Sequence, residues 1–245
     1  MLLSKHNPAT DPVIIWLQGG PGVSSMYGLM IQWGSRIVKY PDPMLVVNDH
    51  SLNERATVIF VDNPSGTGFS HPANVDSSEV AAKDLIAFLK LVRSMSFDDA
   101  KGTSHTFSTQ PLHVMGASFA GHYISAFGLL VASEKGLQDA LQLKSLVMAN
   151  PSLDEKRQYD QVHDMICDAK QTSSKAWLLP PDTCNEWSRK KEGCKMAIDS
   201  CRKDSKSCTQ VEKACSKCNP WFYWYVCCKQ LTSKISALTA PKFPS

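Results

Sequence analysis

Short apolar runs that stop at turn-forming residues, separated by stretches with helical periodicity, limit this chain more than any other feature. Val13-Ile14-Ile15-Trp16-Leu17 runs into Gly19-Gly20-Pro21-Gly22 and reads as a buried strand entering a tight turn. Residues 57–62 repeat the pattern, a β-branched run ending at Asn63-Pro64-Ser65-Gly66. Val80, Leu85, Phe88, Leu89 and Val92 then recur at helical spacing, with Ser77 or Ser78 as the N-cap. Residues 112–115 predict a third strand, followed by Gly116 and a helix-like stretch through Leu130, and residues 143–148 predict a fourth strand. Strands alternating with helices require a mostly parallel sheet covered on both faces, the α/β class.

After Asn150 the texture changes to Cys, Lys and Ser. The chain's nine cysteines all lie between Cys167 and Cys228, and none precedes them. Such a block reads as a disulfide-stapled lobe formed in an oxidising compartment. Zinc is the rival reading, through Cys215 and Cys218. A structural zinc site needs a second ligand pair at matching spacing, and no histidine lies beyond His163, so disulfides are preferred. The expected division is 1–155 for the α/β core, 156–220 for a helical Cys-rich insertion and 221–245 for a divergent tail. The basic residues Arg189, Lys190, Lys191, Lys195, Arg202, Lys203 and Lys206 read as a solvated helical face. A net charge of +3 gives no reason to expect nucleic acid as a partner. No apolar run is long enough to span a bilayer. The first residues carry no secretory signal, which conflicts with the cysteines and leads us to expect an incomplete N-terminus.

The chemistry concentrates in Val114-Met115-Gly116-Ala117-Ser118-Phe119-Ala120-Gly121-His122. A serine between a strand and a helix, with small residues two places before and after, matches a nucleophile elbow. Bulky neighbours would clash in so sharp a turn, and Gly116 and Ala120 avoid that. The positive end of the following helix would face a developing oxyanion. The bland alternative is a serine that only caps the helix. The early Gly19–Gly22 turn, whose backbone can approach a substrate and offer free N–H groups, favours the elbow.

Three blocks then resemble one family. Trp16-Leu17-Gln18-Gly19-Gly20-Pro21-Gly22-Val23-Ser24-Ser25 resembles the Trp-Leu-Asn-Gly-Gly-Pro-Gly-Cys-Ser-Ser signature of serine carboxypeptidases. Residues 59–70, Ile-Phe-Val-Asp-Asn-Pro-Ser-Gly-Thr-Gly-Phe-Ser, resemble that family's next block. Residues 116–123 are similar to its Gly-Glu-Ser-Tyr-Ala-Gly-His-Tyr elbow. Motif order and spacing agree over residues 10–215. The resemblance implies an α/β-hydrolase fold with a Cys-rich helical cap, no metal or organic cofactor, and peptide C-termini as substrate. It further implies a vacuolar, lysosomal or secreted location for the full-length family member.

Residue by residue, Ser118 is expected to attack the peptide carbonyl and form an acyl-enzyme. The N–H groups of Gly20 and Phe119 would form the oxyanion hole. Gln18, Gly19 and position 117 would recognise the substrate's terminal carboxylate, with Asp62 in the acid pair of that site. The cysteine order implies the pairs Cys167–Cys184, Cys194–Cys215 and Cys201–Cys208. Three departures stand out: Ala117 replaces the family's glutamate, Gln18 its asparagine and Val23 a cysteine. The family places its catalytic Asp and His after the cap. Here the histidines downstream of Ser118 are His122, in the elbow helix, and His163, at the cap entrance; neither is expected to act as base. The expectation is therefore a chain cut at both ends and inactive alone. Two alternatives stay open: a non-catalytic binding or vestigial module, and a broader acyl hydrolase or acyltransferase.

Overall fold

The computed structural model describes residues 1–167 and 181–204, apart from 40, 42, 74 and 100, together with 207, 210 and 214. The chain divides into two compact units between Pro151 and Ser152.

In chain order the first unit contains β1 (Val13–Leu17), β2 (Arg36–Lys39), β3 (Met44–Val47), β4 (Thr57–Val61), α1 (Ser78–Ser94), β5 (Ser96–Asp98), β6 (Ser104–Thr106), β7 (Leu112–Ala117), α2 (Ala120–Ser133), α3 (Leu137–Ala140) and β8 (Leu143–Ala149). The predicted strands form one parallel sheet in the order β4-β1-β7-β8. Two antiparallel pairs, β2–β3 and β5–β6, lie outside that sheet and were not expected from the sequence.

One sheet face packs on α1 and α2. Ile15, Leu17, Ile59 and Val114 meet Leu85 and Leu89 of α1 and Ile124 and Phe127 of α2 in a continuous buried core. The buried positions of α1 (Ala81, Ala82, Leu85, Ile86, Leu89, Val92) form a single helical stripe. Ser77 caps this helix, its hydroxyl accepting from the Val80 N–H at 3.3 Å, which stabilises the start by about 1 kcal/mol. Near the other end, Arg93 donates to the carbonyls of Phe107 and Leu141, tying α1 to the approaches of β7 and β8. On the opposite face Trp16, Val58 and Phe60 pack with Leu2, Met26, Leu29 and Trp33.

The order 4-1-7-8 matters for the site. From β1 the chain moves outward to β4, whereas from β7 it moves the other way to β8. The two connections part at the carboxyl ends of β1 and β7, the switch point where open parallel sheets place their ligand sites. Leu17 is in register with Gly116, so the glycine turn and the serine turn leave the sheet at the same level.

In the second unit α4 (Glu155–Cys167) and α5 (Pro181–Lys203) pair antiparallel, because Lys156 meets Asp199 at 2.5 Å, His163 meets Ser188 at 2.8 Å and Cys167 is bonded to Cys184. Cys167, Cys184, Trp187, Cys194 and Ile198 form its small core. The expected Cys167–Cys184 disulfide is present, with its Cα atoms 5.5 Å apart. Cys194 is also disulfide-bonded. Its expected partner Cys215, and Cys208, the expected partner of Cys201, lie outside the described residues, as do residues 221–245. Among the described residues no helix is long and apolar enough to cross a membrane.

Candidate active site

Ser118 stands alone between the last residue of β7 and the Phe119 N-cap of α2, with φ at 60°. A left-handed conformation costs a residue with a Cβ roughly 1–2 kcal/mol, so neighbouring bonds must hold it in place. They do: the Ser118 N–H donates to the Ala149 carbonyl of β8 at 3.0 Å, and its own carbonyl accepts from the Gly121 N–H at 3.0 Å. The turn can be this sharp because its flanks are small. A methyl at Gly116 would come within 2.7 Å of the Ala120 Cβ and 2.6 Å of the Leu17 carbonyl.

The turn after β1 lies directly against this corner. A Cβ at Gly19 would approach the Ala117 carbonyl and the Phe119 nitrogen at 2.7 Å each, and the Ser118 Cβ at 2.9 Å. Gly20 follows with φ at 113°, a conformation side chains rarely adopt. Among the described residues, the N–H groups of Gly20 and Phe119 donate to no acceptor, and both belong to the two turns that meet here. The fourteen-residue helix α2 begins immediately beyond, adding its positive end to the same place.

Gln18 is oriented from behind. Its carboxamide oxygen accepts from the Trp16 indole N–H at 3.1 Å, which leaves the amide NH₂ as the group on offer. Its backbone N–H donates to Ser25 Oγ at 3.0 Å, and that hydroxyl, fully buried, donates to the Val61 carbonyl at 2.5 Å. Asp62, at the end of β4, collects the remaining donors of the turn. Its Oδ1 accepts from Ser24 Oγ at 2.6 Å and the Ser25 N–H at 2.8 Å, and its Oδ2 accepts from the Phe69 N–H at 3.0 Å. The hydroxyl of Ser70 adds a bond to the Asp62 carbonyl at 2.7 Å. Both carboxylate oxygens are thus engaged in holding loops together. Ala117 lies with Met115 against the Trp16, Val58 and Phe60 cluster, so the position that is glutamate in the elbow pattern it resembles is apolar here.

The structure therefore sets the Gln18-Gly19-Gly20 turn, at Gly19, against Ala117, Ser118 and Phe119, while Asp62 ties the following loop through Ser24 and Ser25. Ser24, Ser25 and Trp16 support the site and were not singled out from the sequence. Trp16 and Gln18 stand two apart at the end of a strand, on one face, and that period-two spacing was a usable signal. The histidines downstream are otherwise occupied. The His122 ring lies on Phe119, centroids 4.6 Å apart. In the second unit, His163 is engaged at both ring nitrogens, by Asp164 at 3.0 Å and Ser188 at 2.8 Å. Among the described residues no group of acidic, Cys or His side chains is arranged to hold a metal.

A parallel sheet of this order, with a strained serine at the strand-to-helix corner beside a glycine turn, is an α/β-hydrolase core. A family model described as serine carboxypeptidase matches residues 1–242, and the chain belongs to that family. It is similar to carboxypeptidase Y of Saccharomyces cerevisiae, 35% identical over 218 residues, covering 88% of this chain and 38% of the relative. Carboxypeptidase Y homolog A of Talaromyces stipitatus is also 35% identical over 218 residues, with 88% and 36% covered. Among solved structures it resembles Kex1(delta)p, a prohormone-processing carboxypeptidase from Saccharomyces cerevisiae. That similarity has a TM-score of 0.61 and 25% identity, covering 85% of this chain and 45% of the other. The chain spans less than half the length of these relatives.

Proposed function

We propose that this chain carries the acylating half of a serine carboxypeptidase, with Ser118 as the nucleophile that takes the acyl group of a peptide's penultimate residue. The observation that supports this best is the conformation of Ser118, held at φ 60° with the Gly19 backbone packed against it. As the hydroxyl attacks, negative charge develops on the carbonyl oxygen, and the N–H groups of Gly20 and Phe119 receive it. Donors fixed before the reaction need no reorganisation; each contributes roughly 3–4 kcal/mol to the transition state in comparable sites. The NH₂ of Gln18 and the backbone at Gly19 bind the terminal carboxylate. Asp62 acts through the loops it ties together, as a positioning residue. An oxidising compartment, vacuolar, lysosomal or extracellular, suits the Cys167–Cys184 bond.

Neither histidine downstream of Ser118 serves as its general base in this reading, and no further histidine follows His163. The chain alone then acylates slowly, since loss of a base in such a triad costs roughly 10⁴–10⁶ in rate. A fluorophosphonate probe on purified protein tests the nucleophile. Covalent label is expected on the peptide bearing Ser118 and is expected to vanish in Ser118→Ala. Equal labelling of the variant, or label confined to other residues after prolonged incubation with excess probe, would refute the assignment.

One observation supports a second reading. The apolar surroundings of Ala117 offer no carboxyl hydrogen bond to a substrate terminus, which suits a less selective acyl hydrolase. Release of the last residue from a blocked dipeptide, compared with hydrolysis of its simple ester, separates the two. Cleavage of the ester only would favour the second.

A further inference from the structure

The contact between α4 and α5 contains an array that the Ser118 chemistry does not use. His163 Nε2 lies 2.8 Å from Ser188 Oγ, and His163 Nδ1 lies 3.0 Å from Asp164 Oδ1. The imidazole is buried, 8% exposed, and set edge-on to Trp187 with ring centroids 5.2 Å apart. Ser188, by contrast, is on the surface of α5. We propose that Ser188 is a second activated serine, acylated by small activated esters independently of Ser118.

The argument turns on where the protons go. Ser188 Oγ has two acceptors within reach, His163 Nε2 at 2.8 Å and the Cys184 carbonyl one helical turn earlier at 2.9 Å. Asp164 decides between them. The hydrogen bond from His163 holds its carboxyl below the ordinary range, and Lys191, 3.6 Å away, adds to the effect, so Asp164 is an anion that can only accept. A neutral imidazole beside that anion must carry its proton on Nδ1, because the other tautomer sets a nitrogen lone pair against carboxylate oxygen. Nε2 is then an acceptor, and the Ser188 hydroxyl turns to it rather than to Cys184. That is the proton arrangement of an activated serine. The Trp187 ring and the adjoining Cys167–Cys184 bond hold the imidazole in place.

The step balances without any further reagent. Ser188 Oγ attacks the carbonyl carbon of an aryl ester while its proton passes to His163 Nε2. The bond from that carbon to the aryl oxygen breaks, and the proton leaves with the phenol. The products are an O-acyl serine and a phenol. Ser188 sits inside a regular helix whose amides are spent on its own carbonyls, so α5 supplies no donor pair for the oxyanion. Modification is therefore stoichiometric and slow, without turnover.

The experiment uses the full chain carrying Ser118→Ala, treated with 4-nitrophenyl acetate and digested for peptide mapping, with the acetylated lysines of the same digest as an internal clock. Acetyl on Ser188 is expected in the folded protein and absent after Ser188→Ala. Its rate relative to the lysines should fall roughly 10²-fold in His163→Gln and at least about tenfold in Asp164→Asn. Asp164 lies at the rim of the contact, so the second variant keeps the helix pair if the first does not fold. Acetylation of lysines without Ser188, or Ser188 labelling at the same rate in Asp164→Asn, would overturn the proposal and leave His163 as a clip between helices. Because Ser118 is absent throughout, the outcome is independent of the proposed carboxypeptidase chemistry.

Discussion

Gly19→Ala is the most direct probe of how the two turns meet. The backbone at Gly19 needs no unusual φ, so the substitution adds a methyl and little else. That methyl would lie 2.7 Å from the Ala117 carbonyl, 2.7 Å from the Phe119 nitrogen and 2.9 Å from the Ser118 Cβ. Relaxed contacts of this kind sit near about 3.5–4.0 Å, so the two turns must separate by several tenths of an ångström or more. The first two of these atoms are backbone and cannot rotate away. Overpacking of this kind costs about 1–3 kcal/mol. For a chain of this size each kcal/mol lowers Tm by about 2–4 °C, so a drop of about 2–12 °C is expected in a thermal melt. Activity should fall further than stability, because a displacement approaching 1 Å at a reacting centre costs about 10²-fold in rate. Fluorophosphonate labelling of Ser118, measured well below the melting range, reads that second effect. A variant that melts like the parent and labels at the parental rate would show that the glycine turn does not press on the serine corner.

Three further outcomes follow from the same geometry. Asp62→Ala strands the Ser24 hydroxyl and the Ser25 and Phe69 N–H groups, and should destabilise the first unit by about 2–3 kcal/mol, checked by denaturant midpoint. Ser118→Gly relieves the left-handed strain and should raise stability by about 1 kcal/mol while abolishing labelling; a less stable glycine variant would argue against strain at the corner. In the second unit, Asp164 and Asp199 are held below the ordinary 3.8, Asp164 chiefly by the hydrogen bond from His163 and Asp199 by that from Lys156. A depressed folded value stabilises above the unfolded value and is lost as pH falls through the folded one. Helical circular dichroism from α4 and α5 should therefore hold at pH 5 and decline only below about pH 4, with Asp199→Asn blunting that acid limb.

The parallel sheet was legible because each of its strands is a local event: an apolar run that stops at a turn. The serine corner was legible for the same reason, since Gly116 and Ala120 are required by contacts within a few residues of Ser118. The β2–β3 pair was not, because Arg36-Ile37-Val38-Lys39 and Met44-Leu45-Val46-Val47 are short and mean little until they pair with each other. The role of Asp62 was hidden by distance. The resemblance implied a place in the acid pair of the carboxylate site, and the sequence could not add that its oxygens accept from partners 37 and 38 residues earlier and from Phe69. The meeting of His163 with Ser188 needed more than the implied Cys167–Cys184 pair, since it also requires that both flanks of that bond be helical and antiparallel.

The hydrogen bond from the Ser118 N–H to Ala149 has a mechanical consequence. Ser118 is suspended from the strand that leads, within a few residues, into the second unit. Lengthening or shortening the segment just after Ala149 would pull on that suspension without altering any residue of the two turns. Reactivity at position 118 is therefore open to adjustment from the chain just beyond β8, and insertions there should be screened for activity as well as for folding.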